Sequence, residues 1–207
     1  MKVRKMKSRI LFDQQIRQDY QVEIISGSDE AGRGAMAGPI VVASVILPLD
    51  YENGEIKDSK QLSALKRKQL FEEIQKVALS FAIEIIPANQ VDELNPKQAS
   101  VVGMINSIQK LQITPELSLI DGEKIKHPTI NALQLIKGDN LSQNIAAASI
   151  LAKVTRDLIM QELDQKHPGY AWSQNKGYVT KRHQECLKSL GISPEHRKTY
   201  SPVKKFL

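Results

Sequence analysis

A chain of 207 residues, 41% of them hydrophobic, suffices for one large or two small domains around an ordinary core. One cysteine leaves no internal disulfide, as in a cytoplasmic protein, and no apolar run approaches the length that spans a bilayer. The net charge of +6 is unevenly placed: residues 166–207 carry nine Lys and Arg against Glu185 and Glu195, which leaves residues 1–165 at −1.

Residues 1–20 hold six basic side chains against Asp13 and Asp19 and lack the apolar stretch of a signal peptide, so a charged helix or a loose arm is expected there. Two β-rich runs, 22–25 and 40–47, then bracket the stretch 26–39, which contains Asp29, Glu30, Gly32, Arg33, Gly34 and Gly38. The carboxylate pair is therefore expected where one strand ends. Adjacent Asp29 and Glu30 disfavour each other's charged form, a cost usually met by a cation. The glycines permit close approach of a ligand to the backbone, and Arg33 offers a positive fork to a phosphate. A dinucleotide fingerprint is excluded because Gly38 falls one residue late for G-x-G-x-x-G, and the chain has no P-loop pattern.

Residues 51–60 read as a polar loop, and Ser63 as the cap of a helix to about Leu79. Lys60, just before that cap, reads equally as a phosphate contact or a solvated loop lysine. Residues 81–86 form a strand, and 96–111 a helix that turns Val101, Val102, Ile105, Ile108 and Leu111 toward the core. The alternating runs 116–120 and 130–136 are followed by Asp121-Gly122 and Lys137-Gly138-Asp139. Three strand-like runs thus close on an acid beside a glycine. Strands of one sheet bring such ends together, so Asp29, Glu30, Asp121 and Asp139 are expected to converge on one cleft.

A long helix is expected from about Ser142 to Leu163, its small residues 146–149 letting it lie close to the sheet. Asp157 is 18 residues beyond Asp139, roughly 27 Å at full helical rise, so both cannot serve one site. Asp139 shares the strand-end pattern and is preferred; Asp157 beside Arg156 reads as structural, and Lys153 faces either nucleic acid or solvent. The basic C-terminal stretch holds Tyr170, Trp172 and Tyr178, combining charge for phosphates with rings for sugars or bases. His183 is read as a surface residue or a neighbour of the site, and residues 194–207 as an irregular tail docked by Tyr200 and Val203.

Oxygen ligands suit a hard cation, whereas zinc prefers Cys or His, and Cys186, His127, His167, His183 and His196 show no zinc spacing. Four carboxylates around phosphate oxygens suit two-metal hydrolysis of a phosphodiester. The ordered blocks Asp29-Glu30-Ala31-Gly32-Arg33-Gly34 with Ala37-Gly38-Pro39, Asp58-Ser59-Lys60-Gln61-Leu62, Asp121-Gly122, Lys137-Gly138-Asp139, residues 146–157, and Lys176-Gly177-Tyr178 with His183 resemble bacterial ribonuclease HII. They span roughly 24–203. Ala35-Met36 and residues 140–144 depart from the family's usual pattern without touching an expected ligand.

The resemblance implies an α/β, ribonuclease-H-like fold: a central mixed five-stranded sheet flanked by helices over 21–165, a basic segment at 1–20, and a small basic helical part at 166–207 that contacts nucleic acid. It implies catalysis and ligation of two Mg²⁺ or Mn²⁺ ions by Asp29, Glu30, Asp121 and Asp139. Substrate contacts fall to Gly32, Arg33, Gly34, Lys60, Lys153, Lys176 and Tyr178. The glycine-arginine-glycine backbone would sense a 2′-OH, and Tyr178 would stack on the following deoxyribose. The implied substrates are RNA/DNA hybrids and DNA duplexes containing ribonucleotides, cut by a monomer to give 3′-OH and 5′-phosphate ends. Two other classes share some features: a non-catalytic nucleic-acid-binding module, and a general metal-dependent DNA nuclease of related fold.

Overall fold

The computed structural model describes residues 8–57 and 59–207; residues 1–7 of the basic N-terminal segment and Asp58 lie outside the described residues. Five strands form one mixed sheet: β1 (Ile25–Ala31), β2 (Ile40–Ile46), β3 (Ser80–Ile86), β4 (Leu117–Asp121) and β5 (Ala132–Leu135), in the order β3-β2-β1-β4-β5. The first three are antiparallel neighbours, while β4 and β5 run parallel to β1. This is the mixed five-stranded α/β architecture expected from the sequence.

Strand β2 is buried on both faces, and its alternation divides the core. Val41, Ala43 and Val45 face a long helix, α5 (Gln143–Lys166), and α2 (Ala64–Val77). Ile40 and Val42 face α4 (Pro96–Gln109), which follows the short α3 (Ala88–Leu94). Burying both faces requires the near-continuous apolar run that β2 shows. Helix starts follow their caps: Ser63 Oγ accepts from the Lys66 amide, and Ser142 Oγ from the Ile145 amide.

Strand β1 differs from expectation in extent. It begins at Ile25 and contains Asp29 and Glu30, where the sequence reading had a strand at 22–25. The weak strand formers at 26–28 are recruited by tertiary contacts that outweigh propensity. Ser26 Oγ donates to Ser118 Oγ (3.0 Å), and Ser28 and Ser44 share a hydroxyl hydrogen bond (2.7 Å). A Cβ on Gly27 would lie 2.2 Å from the Ile145 nitrogen, so only glycine lets the start of α5 rest on β1.

Residues 9–20 are neither loose nor free in solvent. They form α1 (Arg9–Tyr20), whose Phe12 and Ile16 pack with Ile25, Leu117, Leu119 and Ile145. Its Asp13 Oδ2 accepts from the Gln143 amide (3.1 Å), the Asn144 amide (3.2 Å) and Asn144 Nδ2 (2.9 Å). A carboxylate thus meets the positive end of α5.

Three short helices follow: α6 (Trp172–Asn175), α7 (Lys181–Leu190) and α8 (Ser201–Lys204). Two ring residues of this part do not serve as contacts for sugars or bases. Trp172 is fully buried and stacks on buried Tyr170, centroids 4.8 Å apart, in a core with Cys186 and Met160. His183 is also fully buried, which overturns its reading as a surface residue.

Gly27→Ala is expected to cost roughly 3 kcal/mol or more, because the obstructing atoms are backbone. Gly34→Ala, with no atom within 4 Å of the added Cβ, is expected to unfold within about 0.5 kcal/mol of the parent. Denaturant titration of both variants checks the contrast.

Candidate active site

The three strands that end together do so in parallel. Ser28 is level with Ile120, and Asp121 is level with Leu135, so Asp29 within the C-terminal half of β1 and Asp121 at the end of β4 lie side by side. A left-handed Lys137 turns the chain out of β5 and sets Asp139 in a one-turn 3₁₀ helix, Gly138–Asn140. The acids therefore meet at the carboxyl ends of adjacent parallel strands, where α/β sheets place their ligands. Asp121 Oδ1 accepts from the Gly138 amide (2.6 Å), tying the two acidic turns together, and Asp139 Oδ1 accepts from Asn140 Nδ2 (3.0 Å).

Their electrostatics are those of crowded, desolvated acids. Burial, then Glu30, Asp121 and Asp139, push the Asp29 carboxyl well above its ordinary range, against a hydrogen bond from the Glu30 amide. Burial raises Glu30 to about 7; Arg33 and Lys60 oppose the rise, while Asp121 and Glu123 add to it. Asp29 thus feels the other three expected acids, and Glu30 feels Asp121. Among the described residues no three His, Cys, Asp or Glu side chains already surround one point as metal ligands. Asp121 and Asp139 instead spend oxygens on Gly138 and Asn140.

The donor set nonetheless fits a hard divalent ion. Magnesium binds through one or two carboxylates and fills its remaining positions with water and substrate phosphate. Four carboxyls crowded at one sheet edge, with Asp29 and Glu30 raised in proton affinity, form a site whose repulsion a cation relieves.

Beside the acids the cleft is lined by Gly32, Arg33, Gly34, Ser59, Lys60, Ser149, Lys153 and Tyr178. Ser149 Oγ donates to Ser59 Oγ (2.9 Å), and Arg67 Nη1 donates to the Ser59 and Leu62 carbonyls, fixing the turn that carries Lys60. Lys153 faces the cleft: its Nζ bonds Asp157 (2.6 Å) and lies 5.8 Å from the Tyr178 ring centroid. Asp157 is accordingly a partner of Lys153, on the helix that leaves the acids. Lys176 is directed elsewhere. Its Nζ points to the Asp157 carbonyl in the adjoining groove between α2 and α5, and its own carbonyl accepts from Arg156.

The loop joining β1 to β2 is shaped from behind. Buried Arg156 donates to the carbonyls of Ala37, Pro39 and Lys176, and a Cβ on Gly32 would lie 1.9 Å from its Nε. Gly32 also has φ +92°, so it is glycine for reasons internal to the protein. Gly34 is not: its φ lies outside the left-handed range, it is exposed, and its missing side chain faces open space. The Gly34 backbone is therefore open to approach from outside.

Arg33 does not stand as an open fork. Its Nη1 bonds Glu123 (2.7 Å) and lies 3.3 Å from Glu30. Glu123, two residues past Asp121, is missing from the sequence-based site. The signal was present as a second acid after the Asp-Gly turn, but only the fold brings it to Arg33.

The family model for Ribonuclease HII matches residues 26–202. Ribonuclease HII of Mycoplasma capricolum is 52% identical over 201 residues, 97% of each chain. That of Listeria monocytogenes serovar 1/2a is 48% identical over 180 residues, 87% of this chain and 69% of the relative. Among solved structures, ribonuclease H2 from Pyrococcus horikoshii superposes with TM-score 0.77 at 24% identity, covering 89% of this chain and 97% of that one. The ribonuclease HII of the Archaeoglobus fulgidus PCNA:RNase HII complex gives 0.73 at 27%, covering 86% and 96%. The Mn²⁺ complex of Bst-RNase HIII gives 0.64 at 19%, covering 88% and 68%, a likeness of fold. With a matching family model over most of its length and relatives near half identity, the chain belongs to the ribonuclease HII family.

Proposed function

We propose that this cleft hydrolyses the RNA strand of RNA/DNA hybrids and cuts duplex DNA on the 5′ side of a single embedded ribonucleotide. Ribonuclease HII endonuclease activity comes with the family; the substrate detail and the roles below are the reading that the cleft supports. The observation that carries it is the meeting of four acids, with Asp29 and Glu30 desolvated, beside an exposed Gly34 that nothing inside the protein requires to be glycine.

Asp29, Glu30, Asp121 and Asp139 would hold two divalent ions, Mg²⁺ or Mn²⁺. When bound, such ions lower the pKa of the attacking water and stabilise the leaving 3′ oxygen. Lys60 and Lys153 orient the phosphodiester between the acids and the glycine-rich loop. The Gly34 backbone approaches the 2′-OH, the group that separates RNA from DNA. A side chain here would keep the sugar away. Tyr178 presents its ring to the next deoxyribose and is held there through its carbonyl, which accepts from the Thr180 amide (2.9 Å) and His183 Nδ1 (3.0 Å). Water attacks phosphorus and the 3′ oxygen departs, so the products are a 3′-OH and a 5′-phosphate, with the 2′-OH used for recognition only.

An end-labelled duplex with one ribonucleotide, incubated with Mg²⁺ or Mn²⁺, is expected to be cut 5′ to it, while an all-DNA duplex stays intact. Asp139→Asn is expected to lower the rate by at least about 10²-fold. Uncut ribonucleotide duplex despite tight binding supports the binding-module alternative, and equal cutting of both duplexes the general DNA nuclease.

Chelation gives a second test. A carboxyl whose folded pKa is raised supplies stability that is fully present below its unfolded value and is lost as pH climbs through the folded one. For Glu30 the window runs from 4.5 to about 7. In EDTA the melting temperature is expected to fall across that window by an amount equivalent to roughly 3 kcal/mol, at about 1.36 kcal/mol per pKa unit. Mg²⁺ is expected to restore it at pH 7.5, and Glu30→Gln to flatten the fall. A melting temperature independent of pH and of Mg²⁺ would sink the metal assignment.

A further inference from the structure

The C-terminal segment beyond α7 reads from sequence as an irregular tail, yet it runs directly behind the glycine-rich loop. His196 bridges to Ala37, the Arg197 amide donates to the Met36 carbonyl (2.9 Å), and the Gly38 amide donates to the Glu195 carbonyl (2.9 Å). Asp92 of α3 secures the next turn by accepting from the Lys198 amide (2.6 Å), the Thr199 amide (2.9 Å) and Thr199 Oγ1 (2.5 Å). Arg197 and Tyr200 are thereby delivered to the underside of the loop.

There they close on one peptide. Tyr200 Oη donates to the Arg33 carbonyl (2.5 Å), and Arg197 Nη1 donates to the same carbonyl (3.0 Å) and to Tyr200 Oη (2.9 Å). Arg197 is fully buried and is held by the Gly38 carbonyl through Nε (3.0 Å) and Nη2 (2.8 Å), with its guanidinium carbon 5.2 Å from the Tyr200 ring centroid. Neither donor can turn away without abandoning several partners.

The carbonyl of Arg33 and the N–H of Gly34 belong to one peptide unit. In a trans peptide they point in opposite directions, and the chain has no cis bond among the described residues. A carbonyl drawn inward by two donors therefore sends the Gly34 N–H outward, over the open space beside Gly34.

We propose that Tyr200 and Arg197 are positioning residues for ribonucleotide recognition, fixing the Arg33–Gly34 peptide so that its N–H faces the 2′-OH. The proposal rests on the reading of the cleft as a 2′-OH reader and adds the residues that set its specificity. They lie more than 160 positions from the loop in sequence.

The test measures preference apart from cleavage. Fluorescence anisotropy in EDTA gives Kd for two labelled duplexes, one carrying a single ribonucleotide and one all DNA. Tyr200→Phe removes one hydroxyl and keeps the ring; its Kd ratio is expected to fall about fivefold to tenfold, the worth of one hydrogen bond. Affinity for all-DNA duplex should stay unchanged. Arg197→Lys, which keeps the charge but not the paired donors, should lower the ratio likewise. Tyr51→Phe removes a hydroxyl bonded to Glu73, remote from this loop, and should leave the ratio unaltered. An unchanged ratio in Tyr200→Phe, or equal weakening toward both duplexes, overturns the proposal while the wild type still discriminates. A wild type that binds both duplexes equally overturns the reading of the cleft itself.

Discussion

Two guanidinium groups with backbone carbonyls as their partners set the shape of the cleft. Arg156 from α5 and Arg197 from the C-terminal segment are both fully buried, and between them they bond the carbonyls of Arg33, Ala37, Gly38, Pro39 and Lys176. Burial lowers the pKa of each, Arg156 to about 10, yet both remain cations at neutral pH. Burying a charge is costly unless its hydrogen bonds are made. Here each guanidinium offsets that cost by fixing several peptide planes at once, in a loop that has little regular structure of its own. Among those planes the one that joins Arg33 to Gly34 turns its N–H outward.

The same arrangement explains which parts of the site were legible in the sequence. Asp121 and Asp139 each follow a short β-rich run beside a glycine, Asp29 lies near the end of β1, and parallel pairing of β1, β4 and β5 brings these positions together. A local pattern repeated three times carried long-range information. The helix α5 was legible through its small residues, and Ala146, Ala147 and Ala148 pack with Val41, Ala43 and Val45 of the sheet.

Arg156 shows where local reading stops. Its neighbour Asp157 suggested a structural pair, but adjacent helical residues point about 100° apart. Asp157 therefore meets Lys153, one turn back on its own face, while Arg156 turns inward to the loop. Composition misleads in the C-terminal part in a similar way. Basic residues interleaved with rings suggest a nucleic-acid surface, yet Trp172 Nε1 donates to His183 Nε2 (2.9 Å), and Tyr170 and His196 complete a buried cluster. Ring count cannot report which face a ring occupies. Likewise nothing near Tyr200 in sequence indicates that its hydroxyl ends on Arg33.

That buried cluster has a direction. Trp172 Nε1 donates to His183 Nε2 (2.9 Å), so His183 carries its proton on Nδ1, aimed at the Tyr178 carbonyl (3.0 Å). His196 Nε2 lies 3.1 Å from the same His183 nitrogen, and its Nδ1 accepts from the Ser193 amide (3.0 Å). These bonds are met with both imidazoles neutral. Burial enforces this, lowering His183 and bringing His196 to about 4. The C-terminal segment therefore reaches both walls of the cleft, the Arg33–Gly34 peptide through Arg197 and Tyr200, and Tyr178 through the two histidines. A single segment that reaches both walls fixes their separation.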